Sequence, residues 1–263
     1  MKILVLVKSV PKSDVRVSVT DGALNESDFG FELNPYDEYA IEAALKLKDA
    51  RGAAVSLVTL GPDRCEADIR KGLAMGADDA YLLSDDAFQG GDARSDSRAL
   101  AAACRSIGEF DLILAGKQAI DTDGAQVGIR VAELLGLPHA GTVVELNVAE
   151  DATKATCHSE IEGGHEVIET SLPAVVTCQK GLGEPRFASL PGIMKAKRKP
   201  LTRLTPAEID VEPEQVGAAG AGTTVLDFAM PPERAAGRII EGADPREIAA
   251  NLAKALRDEA KAI

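Results

Sequence analysis

Residues 112–128 read LILAGKQAIDTDGAQVG. The first four form a continuous apolar run, which is typical of a strand that is buried on both faces of a sheet. A polar, glycine-containing turn follows, and residues 126–135 then have a helical pattern that ends at Gly136, with Pro138 just beyond. The segment therefore predicts a strand, a loop and a helix in succession, which is the repeating unit of a parallel α/β sheet.

The same unit recurs through the first half of the chain. Apolar runs at residues 2–7, 54–60 and 80–83 predict further strands. Helical patterns lie between them, after Asn34 and at residues 64–75 and 96–107. Asn34 is a favourable N-cap, and Pro35 suits the first helical position. This alternation predicts an α/β fold with a doubly wound, mostly parallel sheet and helices on both faces.

The second half predicts different elements. Residues 156–161 and 165–172 flank Gly163 and Gly164, which indicates an antiparallel hairpin. Residues 217–222 read GAAGAG and predict a flexible spacer. From Pro245 onward, apolar residues at every fourth position predict an amphipathic helix. We therefore expect an α/β domain over residues 1–200, including the hairpin, and an extended C-terminal arm and helix over residues 201–263.

Composition excludes several classes of function. The net charge of -13 argues against a nucleic-acid partner, because that affinity comes largely from Lys and Arg. The 4 cysteines are scattered, and no metal-ligand spacing is present, so we predict neither a metal site nor a disulfide framework. No apolar run approaches the length of a membrane span, and the N-terminal run is only as long as a strand. We expect a cytoplasmic protein without membrane insertion.

Two loops are candidates for binding an anion. Residues 116–128 lie between a predicted strand and a predicted helix, where free backbone N–H groups can face a ligand. Residues 34–37 open an earlier helix at what should be the same edge of the sheet. Two such helix starts facing one crevice would suit an adenine nucleotide. The same spacing also fits a polar connection with an ordinary helix cap.

A basic, partly apolar segment stands out in this acidic chain. Residues 184–200 read EPRFASLPGIMKAKRKP. Such a charge run fits a solvated face, and it also fits a docking loop in which apolar residues anchor a partner and basic residues steer it. No GxGxxG, Walker-type or nucleophile-elbow motif occurs, so we predict no catalytic acid, base or nucleophile.

Together these segments resemble the beta subunits of electron-transferring flavoproteins. The similarity covers nearly the whole chain: VKSVP near the start, NPYDEYAIEAALKLK, GKQAIDTDGAQVG, LPAVVT and the segment at residues 184–200. The resemblance implies an electron carrier that works as a heterodimer. Its alpha subunit would hold the redox FAD, and the beta subunit would bury an AMP. Electrons would come from flavin dehydrogenases and pass to a quinone-linked oxidoreductase or another acceptor.

The resemblance also implies site residues. The AMP site would be formed by Leu6, Asn34, Pro35, Tyr36, Asp37, Leu60, Gly116, Lys117, Gln118, Ala119, Ile120, Asp121, Thr122, Asp123, Gly124, Ala125, Gln126, Val127, Gly128, Ile129, Arg130 and Val131. Partner recognition would use Glu184, Arg186, Leu190, Pro191, Ile193, Met194, Lys195 and Lys197, with Leu190 as the anchor. The C-terminal arm and helix would pack on the alpha subunit.

One segment points to a different branch of the family. Residues 82–101 look more like the electron-bifurcating flavoproteins, whose beta subunit carries a second FAD in place of AMP and whose donor is NADH. That branch tends to have threonines at the positions of Ala93 and Asp96. A carboxylate beside a pyrophosphate is unfavourable, so we expect AMP, with a second FAD as the alternative.

Two readings from other classes of protein also remain at this point. An enzyme or sensor that depends on an adenine nucleotide would turn over ATP or exchange its ligand freely. A plain interaction module would keep its crevice empty.

Overall fold

The computed structural model describes residues 1–27, 29–232 and 236–263. The chain divides into two compact units, one of Met1–Val17 with Asn25–Leu226 and the other of Ser18–Leu24 with Asp227–Ile263. The sheet of the first unit continues past residue 200, where the sequence analysis divides the chain. That the C-terminal arm packs on another subunit stays a prediction.

Apart from the short pair β3 and β4, the strands belong to the first unit. They are β1 (Lys2–Leu6), β2 (Ser9–Pro11), β3 (Val19–Thr20), β4 (Ala23–Leu24), β5 (Phe31–Leu33), β6 (Ala54–Leu60), β7 (Asp79–Leu83), β8 (Leu112–Gly116), β9 (His139–Val148), β10 (Lys154–Ile161), β11 (Gly164–Ser171), β12 (Ala174–Cys178) and β13 (Leu201–Leu204).

Six helices belong to the described part of the first unit, and one belongs to the second. They are α1 (Pro35–Arg51), α2 (Cys65–Met75), α3 (Ala93–Ile107), α4 (Val127–Leu135), α5 (Leu190–Ala196), α6 (Gly217–Gly220) and α7 (Pro245–Asp258). None of the helices in the described part of the chain is both long enough and apolar enough to span a membrane.

A nine-stranded sheet organises the first unit, in the order β11-β10-β9-β12-β8-β1-β6-β7-β13. Every neighbouring pair from β9 to β13 in this order is parallel, whereas β10 pairs antiparallel with both β9 and β11. The hairpin of β10 and β11 turns at Gly163, whose φ of 80° suits glycine. The predicted α/β fold with a mostly parallel sheet and an antiparallel hairpin is confirmed.

The core has two layers because strand residues alternate between the faces of the sheet. Ile3 and Val5 of β1 pack in a cluster with α1 and α2, whereas Leu4 and Leu6 pack in a cluster with α3 and α4. Helices therefore cover both faces, and the central strands are mostly apolar, although β6 contains Ser56 and Thr59 and β12 contains Thr177. That double burial explains why the sequence shows continuous apolar runs rather than alternation.

Strands β9 and β13 are elements that the sequence analysis does not predict. β9 lies between β12 and the hairpin, and β13 forms the edge beside β7. β13 is only four residues long and pairs with β7 from Leu201↔Ala80 to Leu204↔Leu83. A strand this short gives little periodicity, and only pairing across the chain reveals it.

The second unit contains a two-stranded antiparallel ribbon of β3 and β4 and the helix α7. Asp244 caps α7 by accepting hydrogen bonds from the N–H groups of Arg246 and Glu247 at 2.8 and 2.9 Å. Pro245 occupies the first turn, as the sequence predicts. The predicted C-terminal helix is thus present.

Helix α5 lies close to the end of α2, and Gly192 makes that approach possible. A Cβ at Gly192 would lie 2.6 Å from the carbonyl oxygen of Ala74, which is backbone and cannot rotate away. The Arg70 guanidinium reinforces the contact by donating to the carbonyl oxygens of Ala196 at 2.6 Å and Lys199 at 3.0 Å.

We predict that Gly192→Ala lowers the free energy of unfolding by about 1–3 kcal/mol, because the added methyl group overlaps a fixed carbonyl. Urea denaturation of the purified protein measures this change. Gly164→Ala is the matched control, since a Cβ there meets nothing within 4 Å. An equal, small effect of both substitutions would contradict the close contact.

Candidate functional site

A cavity of about 380 Å³ opens at the carboxyl ends of β1, β6 and β8. It lies where the chain reverses its direction of travel across the sheet. From β1 the chain continues to β6 and β7 on one side, and it then returns to β8 on the other side of β1. The loops after β1 and β8 therefore diverge, and such a switch point is where doubly wound sheets bind ligands.

The Asp37 side chain joins the two strands that border this switch point. Its carboxylate accepts hydrogen bonds from the backbone N–H of Lys8 at 2.7 Å and of Gly116 at 3.0 Å. Burial raises the pKa of Asp37 to about 7, although the donors from Asn34, Lys8 and Gly116 and the Lys8 cation lower it. Gly116 is required here, because its Cβ would lie 2.2 Å from the Asp37 carboxylate.

Asn34 occupies the N-cap position of α1 but does not cap the helix with its side chain, contrary to the sequence prediction. The side chain instead reaches the loop after β8. Its Nδ2 donates to the carbonyl oxygen of Gln118 at 2.9 Å, and its Oδ1 accepts from the N–H of Ile120 at 3.2 Å. Asn34 therefore holds the start of α1 against the loop after β8.

That loop carries backbone strain. Asp123 and Ala125 have φ values of 49° and 50°, in the left-handed region that is unusual for residues other than glycine. Hydrogen bonds hold the loop in this shape, including Gln118 Nε2 to Asp123 Oδ1 at 2.6 Å and Asp123 N to the Ala119 carbonyl at 2.9 Å. Strained residues held by their surroundings are typical of binding loops.

Besides α1, helices α3 and α4 begin at the cavity, and these two differ at their N-termini. Helix α4 has no side-chain cap, so its first-turn N–H groups are not satisfied by a capping side chain. Helix α3 is capped by Asp92, whose Oδ1 accepts from the N–H groups of Arg94 and Ser95 at 2.9 and 3.1 Å. An anionic ligand can therefore bind at the start of α4. At the start of α3 the Asp92 carboxylate already occupies the equivalent place.

Charged side chains also line the cavity. Lys8 and Lys117 contribute cations, and the Lys8 ammonium pairs with Asp121 at 2.7 Å. Asp96 contributes a carboxyl from α3. Burial raises the pKa of Asp96 to about 6, with the Lys8 cation opposing that shift and the Asp92 carboxylate adding to it. Anionic groups of a ligand are therefore disfavoured at the α3 end and favoured at the α4 end.

Most of the residues predicted for the nucleotide site line this cavity. Those that do so are Leu6, Asn34, Asp37, Leu60, Gly116, Lys117, Gln118, Ala119, Thr122, Gly124, Ala125, Gln126, Val127 and Gly128. Those that do not are Pro35, Tyr36, Ile120, Asp121, Asp123, Ile129, Arg130 and Val131. Of the second group, Asp121 pairs with Lys8, which follows β1, and Asp123 accepts a hydrogen bond from Gln118 of its own loop. Val131 is fully buried in the core.

Several residues that line the cavity lie outside the predicted AMP site. They are Val7, Lys8, Gly91, Asp92, Ala93, Asp96, Leu100 and Ala115. Five of them belong to the end of the β7–α3 loop or to α3. Asp92 and Ser95 form a capping box there, a signal that would have placed the start of α3 at Ala93 rather than at residue 96.

The segment at residues 184–200 lies in the same unit and exposes apolar side chains. Leu190 is 79% exposed, Met194 is 73% exposed and Phe187 is 99% exposed. Pro191, Ile193 and Lys195 belong to α5, and Glu184 and Lys197 flank it. Leu190 is therefore a surface residue rather than part of the core. Phe187 is a further exposed residue that the predicted recognition set omits.

Arg186 anchors this segment to α1 inside the chain. Its guanidinium makes two hydrogen bonds to the buried Glu42 carboxylate, at 2.8 and 3.0 Å, and it contacts Asp49 at 2.9 Å. Hydrogen bonding to Glu42 raises the pKa of Arg186 above its usual range. The base of the segment is therefore fixed, while its apolar side chains face solvent.

Comparison with known proteins identifies the family. The family model described as "Electron transfer flavoprotein domain" matches residues 21–209. The chain is 39% identical to "Electron transfer flavoprotein subunit beta" of Bacillus subtilis over 264 residues, 100% of both chains. It is 40% identical to the Megasphaera elsdenii protein of the same name, over 94% of each chain. The chain belongs to the electron transfer flavoprotein beta-subunit family.

A third protein that is similar to this chain has a different name. The chain is 40% identical to "Caffeyl-CoA reductase-Etf complex subunit CarD" of Acetobacterium woodii, over 98% of this chain and 99% of that protein. Beta subunits of the electron transfer flavoprotein family pair with an alpha subunit. The sequence prediction of the family is confirmed.

We predict that Asp37→Asn changes how the stability of the protein depends on pH. Burial raises the pKa of Asp37 from 3.8 to about 7, so the folded chain binds a proton that the unfolded chain releases between these values. The contribution of Asp37 to stability is therefore full below pH 3.8 and is lost as the pH rises to 7. The advantage of the wild type over Asp37→Asn should be larger at pH 5 than at pH 8 by about 2 kcal/mol.

Urea unfolding of both proteins at several pH values measures this difference. Parallel pH profiles for the wild type and the variant would contradict a raised pKa at Asp37.

Proposed function

We propose that the chain is the beta subunit of a heterodimeric electron carrier and that its cavity permanently holds AMP. The alpha subunit carries the redox FAD. The heterodimer accepts electrons from flavin dehydrogenases and passes them to a quinone-linked oxidoreductase or another acceptor. No side chain of this subunit acts as a general acid or base. Its part is to hold the nucleotide, to bind the alpha subunit and to present a docking segment.

The cavity at the switch point of the sheet is the observation that carries this proposal. Its volume of about 380 Å³ falls in the range of small-molecule pockets, roughly 300–1,000 Å³. Leu6, Leu60 and Leu100 supply an apolar lining that suits an adenine ring. The first turn of α4, without a capping side chain, supplies N–H donors for a phosphate.

The charge distribution favours AMP over a second FAD. A dinucleotide carries a pyrophosphate and a further ring system, so it needs more room and a longer anion site. The α3 end of the cavity carries Asp92 and Asp96, and α1, although uncapped, carries Asp37 in its first turn. Helix α4 begins without a capping side chain and without an acidic residue in its first turn. The single phosphate of AMP can accept hydrogen bonds from the first-turn N–H groups of α4 without approaching the carboxylates of Asp92 and Asp96.

An electron-bifurcating beta subunit with a second FAD, and with NADH as donor, is the second candidate. Residues 82–101 resemble that branch, and Gly91, Asp92, Ala93 and Asp96 of this stretch line the cavity. Nucleotide content separates the two candidates.

We predict that the alpha/beta complex, purified without added nucleotide, releases one FAD and one AMP per heterodimer on acid treatment. Chromatography of the extract measures both nucleotides, and dialysis beforehand separates a retained ligand from an exchangeable one. Two FAD per heterodimer would support the bifurcating candidate. A complex without flavin would reject both candidates.

We further propose that residues 184–200 dock the electron donor. Phe187, Leu190 and Met194 are exposed apolar side chains on a segment whose base is fixed by Arg186 and α2. A fixed base lowers the ordering cost of binding, and exposed apolar side chains can enter a partner's pocket. Lys195 and Lys197 suit an acidic rim on that partner.

We predict that Leu190→Ala slows electron transfer from the dehydrogenase by about tenfold, because an anchor side chain contributes most to an interface. Stopped-flow reduction of the complex measures the rate, and flavin content should not change. Val167→Ala is the matched control, since Val167 is an exposed aliphatic residue of β11. Equal rates for both variants would exclude Leu190 as the anchor.

Two further assignments complete the proposal. The C-terminal segment, with its amphipathic helix α7, packs on the alpha subunit and gives the helix an apolar surface to bury against. The complex works in the cytoplasm.

A further inference from the structure

Residues 216–223, here called the strap, run along the β7–α3 loop in the same compact unit. The sequence predicts a flexible spacer at residues 217–222, but the structure shows close packing there. A Cβ at Gly217 would lie 2.1 Å from the carbonyl oxygen of Ala87, and a Cβ at Gly220 would lie 2.1 Å from that of Gln215. These glycines therefore serve close backbone contact, and Val216 beside them is fully buried.

Hydrogen bonds fix the strap to the β7–α3 loop at two places. Near its start, the Ala218 N–H donates to the carbonyl oxygen of Gln89 at 2.8 Å. Near its end, the N–H groups of Gly222 and Thr223 donate to Asp92 Oδ2 at 2.8 and 3.0 Å. The Thr223 hydroxyl donates to the same oxygen at 3.0 Å.

Asp92 has a separate role for each carboxylate oxygen. Oδ1 caps α3 through the N–H groups of Arg94 and Ser95, and Oδ2 binds the end of the strap. Asp92 also lines the cavity, together with Gly91 before it and Ala93 after it. The wall of the cavity at α3 and the strap are therefore joined through a single ionised side chain.

We propose that Asp92 is a positioning residue: by binding the strap it fixes the α3 wall of the cavity and so retains the nucleotide. This inference rests on the proposed function, because it takes the cavity as the AMP site. The contact between the strap and Asp92 and the retention of AMP in the cavity then depend on one another. Because such coupling is reciprocal, AMP in the cavity must also protect the strap.

Asp92→Asn separates the two roles of the side chain. Asparagine is as good an N-cap as aspartate, so one oxygen can still cap α3. Its amide NH₂ group would face the donors of Gly222 and Thr223, and the acceptor of the strap is lost. We expect AMP to dissociate from the variant complex about fivefold faster or more.

Two further variants separate the contact with the strap from the capping of α3. Thr223→Val removes a single donor of the strap at an exposed residue, so it should accelerate AMP release in the same direction by a smaller factor. Ser95→Ala removes the reciprocal half of the capping box but leaves the strap bound to Asp92. It should lower stability without changing the protection of the strap.

The experiment uses the alpha/beta complex. The AMP content of the wild type is measured first by acid release, then AMP loss is followed during dilution, and hydrogen exchange is measured for peptides covering residues 217–226. In the wild type, exchange should be slower with AMP than after its removal. In Asp92→Asn, exchange should be fast in both states.

Two results would overturn the inference while leaving the proposed function intact. One is equal AMP dissociation from the wild type and Asp92→Asn while exchange shows a released strap. The other is a strap that stays protected in the variant. A wild-type complex that contains no AMP would instead reject the proposed function, and the inference would fall with it.

Discussion

The buried carboxylate of Asp37 is the contact on which the site depends. Strands β1 and β8 are neighbours in the sheet, but the chain leaves them in different directions, and this divergence opens the cavity. Asp37 accepts an N–H from the residues at both strand ends, Lys8 and Gly116. Without it, two backbone donors at the edge of the cavity would lose their partner, and each such loss costs about 1–3 kcal/mol.

The polarity of the cavity follows from how helices α3 and α4 begin. The Asp92 carboxylate neutralises the positive end of the α3 dipole, and it binds the strap as well. Helix α4 begins without a capping side chain, after a loop that Asn34 and Gln118 hold in a strained shape. For the AMP that we propose, this difference favours an orientation with the phosphate toward α4.

The sequence allowed the α/β fold, its central strands and the family to be predicted, because buried parallel strands are continuous apolar runs and the motifs are long. It did not reveal β9, whose burial does not alternate regularly along the strand, or β13, which is short and pairs with the distant β7. The side chain of Asn34 was predicted to cap α1 but binds the loop after β8, since local propensity cannot show a competing partner 86 residues away. The composition of the strap predicts a flexible spacer, whereas its glycines are needed because the strap packs closely against neighbouring backbone.

The central claim is that an adenylate occupies the cavity with its phosphate at the start of α4. A crystal structure of the alpha/beta complex, purified without added nucleotide, tests it most directly. The account predicts density for AMP, with the phosphate against the backbone N–H groups of residues 126–128 and the ring system over Leu6 and Leu60. Density for a phosphate at the start of α3, or a cavity that holds only water, would contradict it.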